Sequence, residues 1–254
     1  MNTPGITAIC MTHGRWWLLA EAVESFRRQQ LGDLRAEMWI VNDCPACELV
    51  CDVPGVRVLQ GMEPFPDLSE KYNWTLARLE SRYWCVWDDD DISLPGRLAQ
   101  GVAMIGDHDA FRPKLCWNWG RMCWAGAGTI RGLGQPLTCS ATFSTAACRE
   151  VGGCTIGQWS DKSLWEKIWP RRNCLQIEQA PHEIQFVYRW AGIGYHDSGA
   201  GDPNAFNRAK NFREAMHRDK LFRYGRVEIE PVWHQDYCQL VRVAIQQGKG
   251  AVRL

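Results

Sequence analysis

The sequence contains no apolar run approaching the length of about 18 residues that a membrane-spanning helix needs. Its opening, Met1-Asn-Thr-Pro-Gly5, has neither a basic n-region nor an apolar h-region, so no secretory signal is expected. Charge of either sign is not in excess: Lys plus Arg and Asp plus Glu both number 29, for a formal net charge of +0. That balance removes a global pull toward nucleic acid or anionic membrane, while leaving room for a local basic patch. Internal repeats and low-complexity stretches are absent. Cysteine is plentiful, at 12 residues, but metal-type spacing is not. Cys44, Cys47 and Cys51 lie close together and no second cluster follows. Cys44-Pro-Ala-Cys47 is formally a CxxC without a thioredoxin-like setting, so free thiols in a reducing compartment are expected. These features read as a soluble, cytoplasmic globular protein, long enough for one large α/β domain.

What is present is alternation. Ile6 to Met11 is an apolar, β-branched run that reads as a buried strand. Trp17, Leu18, Ala22, Val23 and Phe26 then recur at helical spacing. Glu37 to Val41 and Val56 to Gln60 read as strands. Leu68 to Leu79 reads as a helix with Ser69 as its N-cap, Tyr83 to Trp87 as a strand and Arg97 to Ile105 as a helix. Further on, strands and turns are expected over 115–121 and 128–142, a helix over Ser160 to Trp169 before Pro170, and a strand over Glu183 to Trp190. A basic helix is expected over Ala205 to Arg223, and a last helix over Val232 to Gln247. Such alternation predicts a mostly parallel sheet flanked by helices, with ligands bound beyond the carboxyl ends of the strands. The polar breaks Thr12-His-Gly-Arg15, Asn42-Asp43 and Asp88 to Asp91 all fall at such ends. Fourteen tryptophans accompany this pattern, and they serve as core or as pocket walls.

Four adjacent carboxylates at the end of an apolar strand repel one another and are costly near a low-dielectric core. A hard divalent cation, Mg²⁺ or Mn²⁺, resolves that cost and accepts phosphate oxygens as further ligands. The competing reading is a solvated acidic turn.

At this point the residues resemble the family 2 glycosyltransferases of the GT-A fold. Ile9-Cys-Met-Thr12-His-Gly-Arg15 resembles the opening strand and turn of the family, with His13 and Gly14 where a Tyr and an Asn usually stand. Leu18 to Ser25 is similar to the helix that follows. Trp39-Ile-Val-Asn42-Asp43 resembles the segment that contacts the donor nucleotide, with Asn42 in place of its first Asp. Lys71-Tyr-Asn73 is similar to an Arg-Asn pair before the metal strand. Tyr83 to Pro95 resembles the Asp-x-Asp strand, with Asp88 and Asp90 as the motif pair. Gly152-Gly153 and Trp159-Ser160-Asp161 resemble the element that carries the general base. Tyr188-Arg189-Trp190 is similar to a Tyr-Arg segment, after which a His and a Ser often follow, as His196 and Ser198 do here.

The resemblance implies a GT-A fold with a Rossmann-like nucleotide-binding half over 1–110, an acceptor and catalytic-base half over 111–204, and a helical segment over 205–254. It implies a metal-dependent, inverting transfer of a sugar from a nucleotide diphosphate sugar, with a UDP-sugar as the expected donor and Mn²⁺ or Mg²⁺ as cofactor. Thr12, Arg15, Asn42, Asp43, Lys71, Asn73, Asp88 and Asp89 would contact the donor. Asp88 and Asp90, with His196 as a candidate third ligand, would hold the metal, and Asp161 would take the proton of the acceptor hydroxyl. The acceptor stays open. The basic stretch 208–226 reads either as a solvated helix face or as a contact for the phosphates of an acceptor such as hydroxymethylated DNA; a glycan or protein acceptor is the alternative. Two other classes compete: a nucleotidyltransferase, which would need a longer glycine-rich basic loop than Thr12 to Arg15, and a non-catalytic nucleotide-sugar-binding protein.

Overall fold

The computed structural model describes residues 5–61, 63–119, 130–134, 138–157, 160–170, 173–189 and 223–249. The elements follow the apolar periodicity. Strand β1 (Ile6–Thr12) is buried along its whole length. Helix α1 (Trp16–Arg27) buries Leu18, Leu19, Ala22, Val23 and Phe26. Strands β2 (Ala36–Asn42), β3 (Cys47–Val50) and β4 (Val56–Leu59) lead to helix α2 (Leu68–Leu76). Asp67, not Ser69, caps α2: its carboxylate accepts the Glu70 N–H, and Ser69 lies buried in the first turn. A carboxylate at this end also meets the positive pole of the helix, so Asp67 outcompetes the hydroxyl two residues later. Then come β5 (Tyr83–Val86), β6 (Ile92–Ser93), α3 (Arg97–Ile105), β7 (Ala110–Pro113), β8 (Cys116–Trp119), β9 (Ile130–Gly134) and β10 (Thr142–Ser144). Helices α4 (Thr145–Glu150) and α5 (Ser160–Ile168), strands β11 (Cys174–Ile177), β12 (Phe186–Tyr188) and β13 (Gly225–Glu228), and helix α6 (Tyr237–Gln246) complete the described chain. The last helix starts five residues later than its periodicity suggests, because Asp236 caps it on the Gln239 N–H.

Seven strands form the central sheet in the order β11-β7-β10-β5-β1-β2-β4. Its β5-β1-β2-β4 half is wholly parallel, with Ile6 to Thr12 of β1 in register with Ala36 to Asn42 of β2 and Ile6 to Ile9 with Tyr83 to Val86 of β5. Only β10 runs against its neighbours β5 and β7. Residues from both sides of position 110 therefore share one sheet. A smaller sheet, β6-β12-β8-β9, stands beside it, and β13 pairs with β3. Among the described residues, no helix is long and apolar enough to cross a membrane.

Tryptophan fills much of the core. Trp84, Trp87 and Trp117 are fully buried. Trp84 stacks on Phe143 at 4.9 Å between ring centroids, and the Trp87 indole N–H donates to the Ala22 carbonyl. The described cysteines are free thiols, buried or half-buried.

The loop before α5 is tied to α2 through one side chain. Asn73 Nδ2 donates to the Cys154 carbonyl, and its Oδ1 accepts the Cys154 N–H at 2.7 Å. Gly153 makes this possible: its φ is 66°, and a Cβ there would lie 2.2 Å from Asn73 Oδ1. Gly153→Ala is therefore expected to cost about 1–3 kcal/mol from backbone strain, with the loss of the Asn73 clamp added. Urea denaturation would measure it, and a change within about 0.5 kcal/mol would refute the clamp.

Candidate donor and metal site

Because β1, β2 and β5 are parallel, their carboxyl ends put Thr12, Asn42–Asp43 and Asp88–Asp91 side by side. The side chains join them. Thr12 Oγ1 donates to Asp89 Oδ2 at 2.8 Å. Arg15, at the start of α1, grips both oxygens of Asp89 and reaches Asp90 Oδ2 with Nη1 at 3.2 Å. Lys71 projects from α2, donating to the Thr12 carbonyl at 2.6 Å and to Asp43 Oδ1 at 2.8 Å. His13 Nδ1 shares that Asp43 oxygen at 3.0 Å, and the Phe65 N–H donates to the other. Of the residues expected to contact the donor, Thr12, Arg15, Asp43, Lys71 and Asp89 thus form one hydrogen-bonded network. Asn42 and Asn73 are engaged elsewhere. Asn42 bridges the β2–β3 turn, donating to the Cys47 carbonyl and accepting the Cys44 N–H. Asn73 holds the loop before α5.

Asp89, Asp90 and Asp91 are buried, and Asp88 is half-buried. Burial pushes the Asp89 carboxyl up and Asp90 adds to this, while Arg15 and Thr12 oppose them. Arg15 is half-buried, which lowers its value, yet the charges of Asp89 and Asp90 hold its guanidinium above its ordinary value. Burial also pushes Asp43 up, but the His13 and Lys71 hydrogen bonds, the Lys71 charge and the Phe65 N–H outweigh it. The net result holds that carboxyl well below the usual range.

The carboxylates divide between two sets of neighbours. Asp89 and Asp90 face Arg15, whereas single ligand atoms of Asp88, Asp91 and Cys139 lie within 4.8 Å of one another. The motif resemblance pairs Asp88 with Asp90; the geometry gathers Asp88 with Asp91. Arg97 explains why Cys139 is there. Its buried guanidinium donates to the carbonyls of Val86 at the end of β5 and of Cys139 in the 138–140 turn, at 2.5 and 2.6 Å. Burial pushes the Cys139 thiol well up, and the charges of Asp88, Asp91 and Asp161 push the same way. A thiol so disposed stays protonated and is a poor partner for a hard cation, while the two carboxylates suit Mg²⁺ or Mn²⁺. The donor set therefore fits such an ion through Asp88 and Asp91.

Asp161 stands half-buried in the first turn of α5, which packs on α2 and the 138–140 turn. Its charge acts on Cys139 and on Tyr72, and both of these also feel Asp88. Asp161 and Asp88, 73 positions apart in sequence, thus act electrostatically on the same two groups. His196 and most of the basic stretch 208–226 lie outside the described residues.

Sequence reasoning missed a buried network behind the carboxylates. The Arg189 N–H donates to Asp91 Oδ1 at 2.8 Å and its Nε to the Asp90 carbonyl at 2.5 Å. Its Nη1 pairs with Glu21 Oε2 of α1, and Glu21 Oε1 accepts from the Tyr237 hydroxyl at 2.7 Å. Burial pushes Glu21 up, but Arg189, Tyr237 and the His234 N–H bring it below its ordinary 4.5. Glu21 and Asp43 are thus both depressed in the folded chain. The unfolded chain binds protons first on acidification, near 4.5 for Glu21 and 3.8 for Asp43. Stability from these groups is complete above those values and is lost as pH falls below them toward the folded values. Thermal unfolding between pH 6 and 3 is expected to show a falling Tm below about pH 4.5 that Glu21→Gln makes shallower; an unchanged slope in that variant would remove Glu21 from the account.

Comparison with known proteins fits this geometry. Residues 7–112 match the model of the family described as Glycosyl transferase family 2. No curated protein sequence matches the chain. Among solved structures, S. aureus TarS 1-349 in complex with UDP-GlcNAc is similar over 85% of this chain and 65% of its own, at 14% identity and a TM-score of 0.58. Another structure of S. aureus TarS 1-349 is matched over 60% of its length at a TM-score of 0.55. The mannosyltransferase PcManGT from Pyrobaculum calidifontis, in complex with GDP-Man and Mn²⁺, is similar over all of this chain and 77% of its own, at 13% identity and a TM-score of 0.52. The chain thus spans less than two thirds of these two TarS 1-349 structures, and at these identities the likeness is one of fold. Over residues 7–112 the chain is thus similar to glycosyl transferase family 2, and its α/β fold is shared with TarS and PcManGT.

Proposed function

We propose that this chain is a metal-dependent glycosyltransferase, moving a sugar from a nucleotide diphosphate sugar to an acceptor hydroxyl with inversion at the anomeric carbon. The observation that carries the reading is the meeting of Thr12, Arg15, Asp43, Lys71 and Asp88–Asp91 at the carboxyl ends of three parallel strands, with the charge of Asp161 reaching Cys139 beside them. In open α/β sheets this is where ligands bind. Thr12, Arg15, Asp43 and Lys71 would frame the nucleotide, and a UDP-sugar is the first donor to test, since one similar fold was solved with UDP-GlcNAc. Asp88 and Asp91 would hold Mn²⁺ or Mg²⁺. Such an ion, when bound, supplies positive charge against the negative charge that develops on the departing diphosphate. Arg15 keeps Asp89 and Asp90 compensated, and Arg189 fixes the backbone that presents Asp91. Asp161 would take the proton of the acceptor hydroxyl as it attacks.

A thermal-shift panel of UDP, GDP and their sugars, with and without Mn²⁺, tests the donor site. The expected result is a metal-dependent stabilisation, of about 2.7 kcal/mol at a hundredfold excess over Kd, that Asp88→Ala and Asp91→Ala each abolish. Loss in Asp90→Ala with retention in Asp91→Ala would return the second ligand to the motif pair. No metal-dependent shift with any nucleotide would sink the reading. Release of nucleoside diphosphate rather than pyrophosphate during turnover separates glycosyl from nucleotidyl transfer.

A further inference from the structure

Arg97, the first residue of α3, is buried and uses its guanidinium in three places at once. Nη1 donates to Ser93 Oγ at 2.5 Å, and Nη2 donates to the Val86 carbonyl at 2.5 Å and to the Cys139 carbonyl at 2.6 Å. Val86 stands two residues before Asp88, and Ser93 stands two residues after Asp91. One side chain therefore closes the carboxylate segment at both of its ends and ties those ends to the turn that carries Cys139. The rings of Trp87 and Phe186 lie 5.0 and 4.6 Å from the guanidinium and cover it with apolar surface. In such surroundings charge-assisted hydrogen bonds keep more of their strength than in water. The root of the side chain is fixed as well. The Leu94 N–H donates to the Gln185 carbonyl at 2.9 Å, and the Gly96 N–H donates to Gln185 Oε1 at 3.0 Å.

Fixing both ends of a short segment limits how far apart the groups it carries can move. We infer that Arg97 is a positioning residue for the metal: it sets the spacing of Asp88 and Asp91, and through that spacing it makes the site prefer a small octahedral ion to a larger one. The inference rests on the metal site proposed above and adds the group that gives that site its selectivity. Mg²⁺ demands near-ideal octahedral geometry with oxygens at about 2.0–2.1 Å, whereas Ca²⁺ accepts flexible arrangements at about 2.3–2.6 Å. A carboxylate pair held by a rigid fork suits the first ion, and slack in the pair favours the second. Lysine cannot replace the fork. The planar guanidinium reaches Ser93 with one nitrogen and the two carbonyls with another, and a single ammonium nitrogen cannot stand in both places. Arg97→Lys thus keeps the charge and loosens the closure. If Arg97 only filled the core, its replacement would lower Tm and leave the ion preference alone.

The test uses the full chain, with UDP present, at a temperature where circular dichroism shows the variants folded. Mn²⁺ binding is read from the electron paramagnetic resonance signal of the free ion, and Mg²⁺ and Ca²⁺ affinities from their displacement of bound Mn²⁺. Arg97→Lys is expected to weaken Mg²⁺ by about tenfold, the low end for groups that hold metal ligands from behind. Ca²⁺ should weaken by less than about twofold, so the preference for Mg²⁺ falls about fivefold or more. Ser93→Ala removes only the partner of Nη1 and should lie between wild type and Arg97→Lys; it keeps the test valid if Arg97→Lys does not fold. An unchanged Mg²⁺-to-Ca²⁺ ratio in Ser93→Ala and in any folded Arg97→Lys overturns the inference and leaves the metal site standing. Absence of Mn²⁺ binding in wild type overturns both. The expected shift in preference, without release of UDP from any UDP-sugar, would uphold the role of Arg97 and count against the transferase reading alone.

Discussion

Arg189→Ala is expected to destabilise the fold by about 3–5 kcal/mol, the cost of stripping one partner from a buried ion pair. Arg189 and Glu21 are 5% and 4% exposed, so the carboxylate left behind could not be rescued by water without opening the core. Tyr237 and the His234 N–H would still donate to Glu21, but neither carries a positive charge. The same substitution removes the bond from Nε to the Asp90 carbonyl, so the loop presenting Asp91 loses its inner support. Stability and support can be separated. The double variant Glu21→Leu with Arg189→Met places apolar side chains of similar bulk where the pair stood, and such replacements often restore stability. It cannot restore the Asp90 contact. Chemical denaturation is therefore expected to show most of the lost stability regained, while the metal-dependent nucleotide shift stays weakened. Recovery of both would reduce Arg189 to a packing residue. Loss of neither in Arg189→Ala would mean that the pair contributes nothing net.

How much of this was legible in the sequence depends on how far apart the interacting residues are. The β1–α1–β2 and β5–α3 segments could be read because their signals are local: an apolar run closed by polar residues, or apolar positions at helical spacing. The convergence of Thr12, Asp43 and Asp88–Asp91 also followed, since parallel strands put their carboxyl ends together. Short strands such as β3, with Glu48 exposed between buried Cys47 and Leu49, carry too few residues for a period to show. Their existence depends on partners, as β3 depends on β13 some 178 positions away. The Glu21–Arg189–Tyr237 network spans 216 positions and has no local signature at all. A buried Glu on the apolar stripe of α1 was the one available hint, because a carboxylate there must find a partner. The division of labour among four identical carboxylates could not be read either. It comes from Arg15 approaching from one side and Arg97 drawing Cys139 in from another.

Asp161→Asn is expected to lower kcat by about 10²–10⁴-fold, the range for removing a general base, while leaving the UDP–Mn²⁺ thermal shift intact. The competing account makes Asp161 only a favourable charge in the first turn of α5. In that case its loss costs about 0.3–1 kcal/mol of stability and leaves kcat alone. The two accounts part on one pair of measurements, Tm and kcat on the same preparation. The first account is motivated by the charge of Asp161 acting on Cys139 and Tyr72, the same groups that feel Asp88. Asn preserves the size of the side chain and can still accept a hydrogen bond near the helix start, so the fold should be little disturbed. It cannot take up a proton at neutral pH. A variant that folds and binds donor with metal, yet hardly turns over, would therefore identify the base. An active Asp161→Asn would move the search for the base to the other groups that face Asp88.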